Sequence, residues 1–140
     1  MELKYQTSLA TGLDLPANQD LDIAPGERTI VDTGIYLQDL FNQDDLIQLQ
    51  KDFGSNIIID AQIRPRSGLA AKHYITVLNT PGTIDLDYHD TIKVILINHG
   101  WKLFEIKKGD RIAQLVFGLA FRPTKFLTDG KRTGGFGSTG

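Results

Sequence analysis

Apolar and polar positions along this chain fall into short runs separated by glycine and proline. Turn signals stand at Pro25-Gly26, Pro81-Gly82, His99-Gly100, Lys108-Gly109-Asp110 and Asp129-Gly130. Between them lie runs rich in β-branched residues: 28–31, 56–63, 91–98 and 111–117. Many short strands between turns predict an all-β sandwich or barrel. In Thr91-Ile92-Lys93-Val94 polar and apolar residues alternate, the mark of a half-buried strand. Ile95-Leu96-Ile97 break that alternation, which predicts burial on both faces, in the core or at a subunit contact. The frame Ile-x-x-Gly-acid-Arg occurs at 23–28 and at 106–111, and reads as two similar tight turns, each entering a strand.

One stretch has a helical pattern. Over residues 43–52, Leu46, Ile47, Leu49 and the following Phe53 form an imperfect apolar face. Asn42 is placed to cap the first turn, Asp44 and Asp45 sit at the positive end of the dipole, and Gly54 supplies a stop.

Length and composition narrow the field. A chain of 140 residues makes one domain with a single core. The formal charge of −2 gives no basic footprint, which argues against a nucleic-acid binder. The absence of cysteine excludes disulfides, zinc–thiolate sites and thiol catalysis, and suits a reducing cytoplasm. No apolar run approaches the ~20 residues of a bilayer span, and the first residues lack a signal-peptide core. A soluble, intracellular protein without a membrane segment is expected.

Polar and glycine residues cluster at the ends of the apolar runs in five segments. They are Thr11-Gly12-Leu13-Asp14-Leu15, then Arg64-Pro65-Arg66-Ser67-Gly68-Leu69-Ala70, then residues 79–88 (NTPGTIDLDY), Gly109-Asp110-Arg111-Ile112-Ala113-Gln114-Leu115, and the tail 132–140 (RTGGFGSTG). Arg66 offers a planar fork of donors for phosphate oxygens and Ser67 a hydroxyl, while Gly68 lets backbone N–H groups approach a phosphate. Asp85 follows a Pro-Gly turn that can project a β-hairpin into a pocket. Asp87 would share its strand face if the strand were regular. His73, His89 and His99 show no ligand spacing and read as non-catalytic.

Taken in order, these segments resemble the five motifs of the trimeric dUTPase family. The resemblance implies a jelly-roll-like β fold assembled as a homotrimer, and hydrolysis of dUTP to dUMP and pyrophosphate with Mg²⁺. That reaction limits uracil in DNA and supplies dUMP for dTMP synthesis. It further implies Asp85 as the base that orients the attacking water and Ser67 at the α–β bridging oxygen. Uracil would be read by hairpin backbone at Gly82, Thr83 and Ile84 with Asn79, and Tyr88 would pack on deoxyribose. Gln114 would face the phosphates, and Asp14 would hold the metal through water. Phe136 would stack on uracil, while Gly137, Ser138 and either Lys131 or Arg132 meet the rest of the nucleotide. On this reading residues 1–130 form the β domain and 131–140 a flexible lid. A dUTP-responsive regulatory module acting on a protein partner is the alternative.

The pattern departs from the family in three places. His89, Asp90 and Thr91 replace the usual basic residue, glycine and acid. The stretch around 39–55, which contains the helix candidate, is longer than expected, and a protein partner is one role for it. The tail arginine is one residue closer to Phe136, with Lys131 in its usual place.

Overall fold

A computed structural model describes residues 2–137. Among these residues nine strands follow the turn signals: β1 (Leu13–Pro16), β2 (Leu21–Ile23), β3 (Arg28–Tyr36), β4 (Ile57–Arg64), β5 (Ile75–Val77), β6 (Gly82–Ile84), β7 (Thr91–Asn98), β8 (Phe104–Ile106) and β9 (Arg111–Phe121). They pair antiparallel throughout, in sheets ordered β1-β9-β4-β6, β3-β7-β5 and β2-β8. Leu15, Ile23, Val31, Ile75, Val94 and Leu115, drawn from all three sheets, meet in one dry core. The expected all-β sandwich is what forms. Among the described residues no helix is long and apolar enough to cross a membrane.

The alternation in β7 does not break. Ile92, Val94, Leu96 and Asn98 are buried, whereas Ile95 and Ile97 on the other face are only half-buried. Burial on both faces was expected there. Within one chain, however, a three-stranded sheet has only one face against the core. Its outer face carries an apolar pair, Ile95 opposite the exposed Ile30 of β3, next to Lys93 opposite Asp32. The buried Asn98 is fully satisfied: its amide donates to the carbonyls of Ile23 (2.9 Å) and Lys102 (2.8 Å), and its Oδ1 accepts from Gly100 N (2.8 Å).

Helix α1 (Gln43–Phe53) forms where the periodicity placed it, and Asn42 Oδ1 accepts from Asp44 N at 3.0 Å. It buries no residue fully and leans on the start of β4, where Gln50 Nε2 donates to Ile57 O at 3.0 Å. A second helix, α2 (Ser67–His73), was not anticipated. The β4 ladder stops at Arg64, since Pro65 has no N–H to continue it, and the chain turns into α2 directly.

Candidate active site

Residues of the first, second and fourth motifs meet where β1, β9 and the start of α2 adjoin. Asp14 pairs with Gln114 across β1 and β9, and Arg64 lies on the other side of Gln114. Gln114 Nε2 donates to Pro65 O at 3.0 Å, tying β9 to the turn that carries Arg66. A Cβ on Gly12 would run into the Gln114 side chain, so glycine is what lets the two approach. Asp14 is largely buried and carries two guanidinium partners, Arg66 Nε at 3.4 Å and Arg111 Nη1 at 3.3 Å. Ser67 and Gly68 are exposed at the N-terminal turn of α2. The first helical bond runs from Ala70 N to Arg66 O (3.1 Å), so the N–H groups of residues 67–69 have no acceptor within the helix. The cluster presents cationic forks, a hydroxyl and backbone donors together, a set that suits phosphate oxygens.

The third motif and the tail build a second cluster. Asn79, Gly82, Thr83, Ile84, Asp85 and Tyr88 line a cavity of about 270 Å³, with Arg132, Phe136 and Gly137 on its other side. Two expectations need correction. Residues 79–88 are not a self-paired hairpin: β5 belongs to the β7 sheet, and β6 crosses to pair with β4 through Ile63↔Gly82 and Ala61↔Ile84. Nor do Asp85 and Asp87 share a strand face. The strand ends at Ile84 and the chain turns, with Tyr88 N donating to Asp85 O at 3.1 Å.

That turn still gathers the carboxylates. Arg132 Nη1 donates to Asp85 Oδ2 at 2.6 Å and stands 3.6 Å from Asp87 Oδ1. Its guanidinium also lies over the Tyr88 ring, 5.4 Å from the centroid. Tyr88 is fixed in turn by its hydroxyl, which donates to Thr91 O at 3.0 Å. A Cβ on Gly135 would stand 2.8 Å from the Tyr88 ring, so only glycine lets the tail lie on that face. Lys131 is exposed and lines an adjoining cleft together with Asp60, Asp85, Asp87, Arg122 and Arg132. Ser138 lies outside the described residues. The departure at residues 89–91 is structural: Asp90 accepts from Lys93 Nζ (2.9 Å) and Thr91 N (2.7 Å) as β7 begins. The Lys93 hydrogen bond, and after it the Thr91 N–H, hold the Asp90 carboxyl below its ordinary value.

Comparison with known proteins bears on both clusters. The family model described as dUTPase matches residues 42–140, which include four of the five motifs. The chain belongs to the dUTPase family. It is 48% identical over 141 residues to a protein of Nautilia profundicola named deoxyuridine 5'-triphosphate nucleotidohydrolase, covering 97% of this chain and 88% of that one. A protein of the same name from Gloeothece citriformis is 48% identical, with 98% and 87% covered. Among solved structures, a mutant dUTPase from phage phi11 of S. aureus superposes with a TM-score of 0.71 at 14% identity, covering 95% of this chain and 92% of that one. The dUTPase of Streptococcus mutans gives 0.64 at 23%, covering 91% and 88%. At those identities the superpositions show the shared fold.

Within this dUTPase frame the motif residues divide in two. Asp14, Arg66, Ser67, Gly68 and Gln114 gather at one end of β9, whereas Asn79, residues 82–85, Tyr88, Arg132 and Phe136 gather around β6. None of the first group lines the cavity of the second. Sequence reasoning missed Arg111. It stands inside the fourth motif, but no spacing signals a carboxylate 97 positions away.

Proposed function

We propose that this dUTPase-family protein hydrolyses dUTP to dUMP and pyrophosphate as a homotrimer. The observation that carries the reading is 48% identity to a named dUTP nucleotidohydrolase over 97% of the chain. The chemistry of the two clusters supports it. In the proposed mechanism uracil enters the β6 cavity, where the backbone of residues 82–84 and the Asn79 amide read its polar edge. A cytosine would leave such groups unpaired, at about 1–3 kcal/mol each. The methyl of thymine would meet the same backbone. Tyr88, held by its bond to Thr91 O, packs against deoxyribose and leaves no room for a 2′-hydroxyl.

Asp85 takes a proton from the attacking water, which its carboxylate also orients. Arg66, Gln114 and the donors of Ser67 and Gly68 receive the phosphates. Ser67 meets the bridging oxygen where charge grows as pyrophosphate leaves. Phe136 covers uracil, Gly137 lines the same cavity, and Ser138 meets the phosphates. Arg132 rather than Lys131 is the inward-facing cation of the tail. Residues 131–140 act as a lid on the domain formed by 1–130, excluding bulk water when closed.

Mg²⁺ fits the donor set as an ion carried by substrate. Among the described residues no three His, Asp or Glu side chains stand close enough to hold a metal. Mg²⁺ keeps most of its waters and is commonly bound through phosphates, with a carboxylate assisting. Asp14 would take that role through water, beside its bonds to Arg66 and Arg111. When bound, the ion neutralises charge on the triphosphate. The dUTPase of phage phi11 is described with a structural Mg(II) ion. The lack of cysteine suits a reducing compartment, and the cytoplasm is the proposed place of action.

Release of pyrophosphate from dUTP, dTTP, dCTP and UTP by the purified protein with Mg²⁺ tests the reading. Turnover of dUTP far above the other three is expected. Equal kcat/KM for UTP would remove Tyr88 from its role and with it the substrate assignment.

A further inference from the structure

At the end of α2 opposite Ser67, two aromatic side chains stand out of the surface. Trp101, in the turn from β7 to β8, is 73% exposed, and Tyr74, which caps α2, is 48% exposed. Their rings lean together, with centroids 5.0 Å apart and planes at 40°. The exposed Leu103 continues the patch. None of the three belongs to either motif cluster.

Burial does not account for the pair, and local conformation opposes it. Tyr74 has φ 59° and ψ 29°, in the left-handed region. A helix that ends this way ordinarily has glycine there, because a Cβ makes the conformation unfavourable. The backbone itself asks for nothing more: Tyr74 N donates to Ala70 O at 3.2 Å, and Tyr74 O accepts from His99 N at 2.9 Å. Glycine could make both bonds. A tyrosine held under strain with its ring half in water points to a task for the ring. Its neighbour stands on a fixed turn, since the buried Asn98 accepts from Gly100 N at 2.8 Å and donates to Lys102 O at 2.8 Å.

Both rings line a cavity of about 140 Å³, together with Lys72, Lys102 and Leu103. Pockets for whole small molecules run to about 300–1,000 Å³, so this one suits a single side chain. Among the described residues no acidic side chain lines it, and Glu105 alternates to the other face of β8 from Phe104. On a chain of formal charge −2, the patch is a local excess of cations. A second copy in two-fold contact would set these lysines against each other. A single nucleic-acid strand calls for a cationic groove along several nucleotides, which two lysines do not make. An acidic peptide meets both the charge and the cavity.

We propose that Tyr74 and Trp101 form a docking surface for an extended acidic segment of a partner protein. The segment seats one apolar side chain in the cavity and sets its carboxylates against Lys72 and Lys102. Tryptophan and tyrosine are the side chains on which such contacts most often depend. The surface lies apart from both motif clusters, and the proposal does not rest on the dUTPase reading.

Peptide titration tests it. The probe is a labelled peptide with three glutamates on each side of a central leucine, followed by anisotropy. Trp101 is the one tryptophan of the chain, so its emission reports on the same patch and should change in parallel. Serine in place of leucine, or lysine in place of glutamate, should each weaken binding by about tenfold or more, the scale of one lost anchor. Trp101→Ala should do the same. Tyr74→Gly should weaken the peptide about tenfold and yet raise the melting temperature, a combination that a purely structural tyrosine would not give. Turnover of dUTP should be unchanged in both variants. Absence of saturable binding by wild type would overturn the proposal, as would equal binding of the lysine peptide or full binding by the two variants. A fall in melting temperature for Tyr74→Gly would make the ring structural and overturn it too. Binding of oligothymidylate in place of the peptide would assign the patch to nucleic acid instead, and a changed oligomer mass in Trp101→Ala would assign it to a subunit contact.

Discussion

Asp85 stands just past the end of β6 with its carboxylate 59% exposed, and among the described residues its charged partner within 3 Å is Arg132. Replacing it by asparagine keeps the shape and a hydrogen-bonding oxygen but removes the proton acceptor. Asp85→Asn should therefore bind dUTP nearly normally and lose about 10²–10⁴-fold in kcat. Single-turnover kinetics with matched binding data check this, and near-normal turnover would exclude Asp85 as the base. Arg132 is only 16% exposed between Asp85, Asp87 and the Tyr88 ring, while Lys131 faces solvent. Arg132→Ala should consequently damage kcat/KM more than Lys131→Ala, and the reverse order would assign the tail cation to Lys131. Asp90 gives a pH prediction. Its carboxyl is depressed in the folded chain, first by Lys93 and then by Thr91 N–H, so its contribution to stability is full above the ordinary carboxylate range. That contribution is lost as pH falls through the ordinary value near ~4 and then through the lowered one. Melting temperatures of Asp90→Asn and wild type should converge on acidification, by a small margin because the pair is exposed. Asp85, Arg66 and Ser67 were legible because motif order marks them. The contact of Arg111 with Asp14 was not, since only folding brings the two onto adjoining strands.

At the scale of elements, legibility follows how local the cause is. Helix α1 was read from Asn42, the two aspartates and Gly54, all of which act within a turn of themselves. Helix α2 was not, because seven residues are too few to make a helix on their own, even with good formers at Leu69, Ala70, Ala71 and Lys72. What fixes it is tertiary: Gln114 grips Pro65 O, and Arg66 is held at Asp14 and Arg111. The crossing of β6 to β4 was hidden for the same reason, as pairs such as Ile63 with Gly82 and Ala61 with Ile84, far apart in sequence, leave no periodic trace. Helix α1 also yields a test. Asn42→Ala removes the bond to Asp44 N and should destabilise the chain by about 1 kcal/mol in urea unfolding. Because α1 buries no residue and lies apart from both clusters, kcat should not change. A fall in kcat without loss of stability would give this segment a part in the reaction.

For the whole molecule, the division of the motif residues is the feature to explain. Arg66, Ser67 and Gln114 do not line the cavity that carries Asp85 and Tyr88, and a cavity belonging to another copy would bring both kinds of cluster onto one nucleotide. The outer face of the β3-β7-β5 sheet supplies a surface on which copies can meet: Ile30, Ile95 and Ile97 are apolar and incompletely covered. A closed ring of three then gives three sites, each with the phosphate cluster of one subunit and the β6 cavity of the next. Light scattering should report three times the chain mass, and a monomer with full activity would end the proposal. Complementation is more demanding. Arg66→Ala spoils one cluster and Asp85→Asn the other, so each variant alone should be nearly inactive. In any mixed trimer, one junction brings an intact phosphate cluster against an intact cavity. Coexpressed in equal amounts, the two variants should recover about a quarter of wild-type activity, since about three-quarters of the trimers are mixed and each holds one good site of three. Sites built within single subunits would recover nothing, because every chain in the mixture carries a defect.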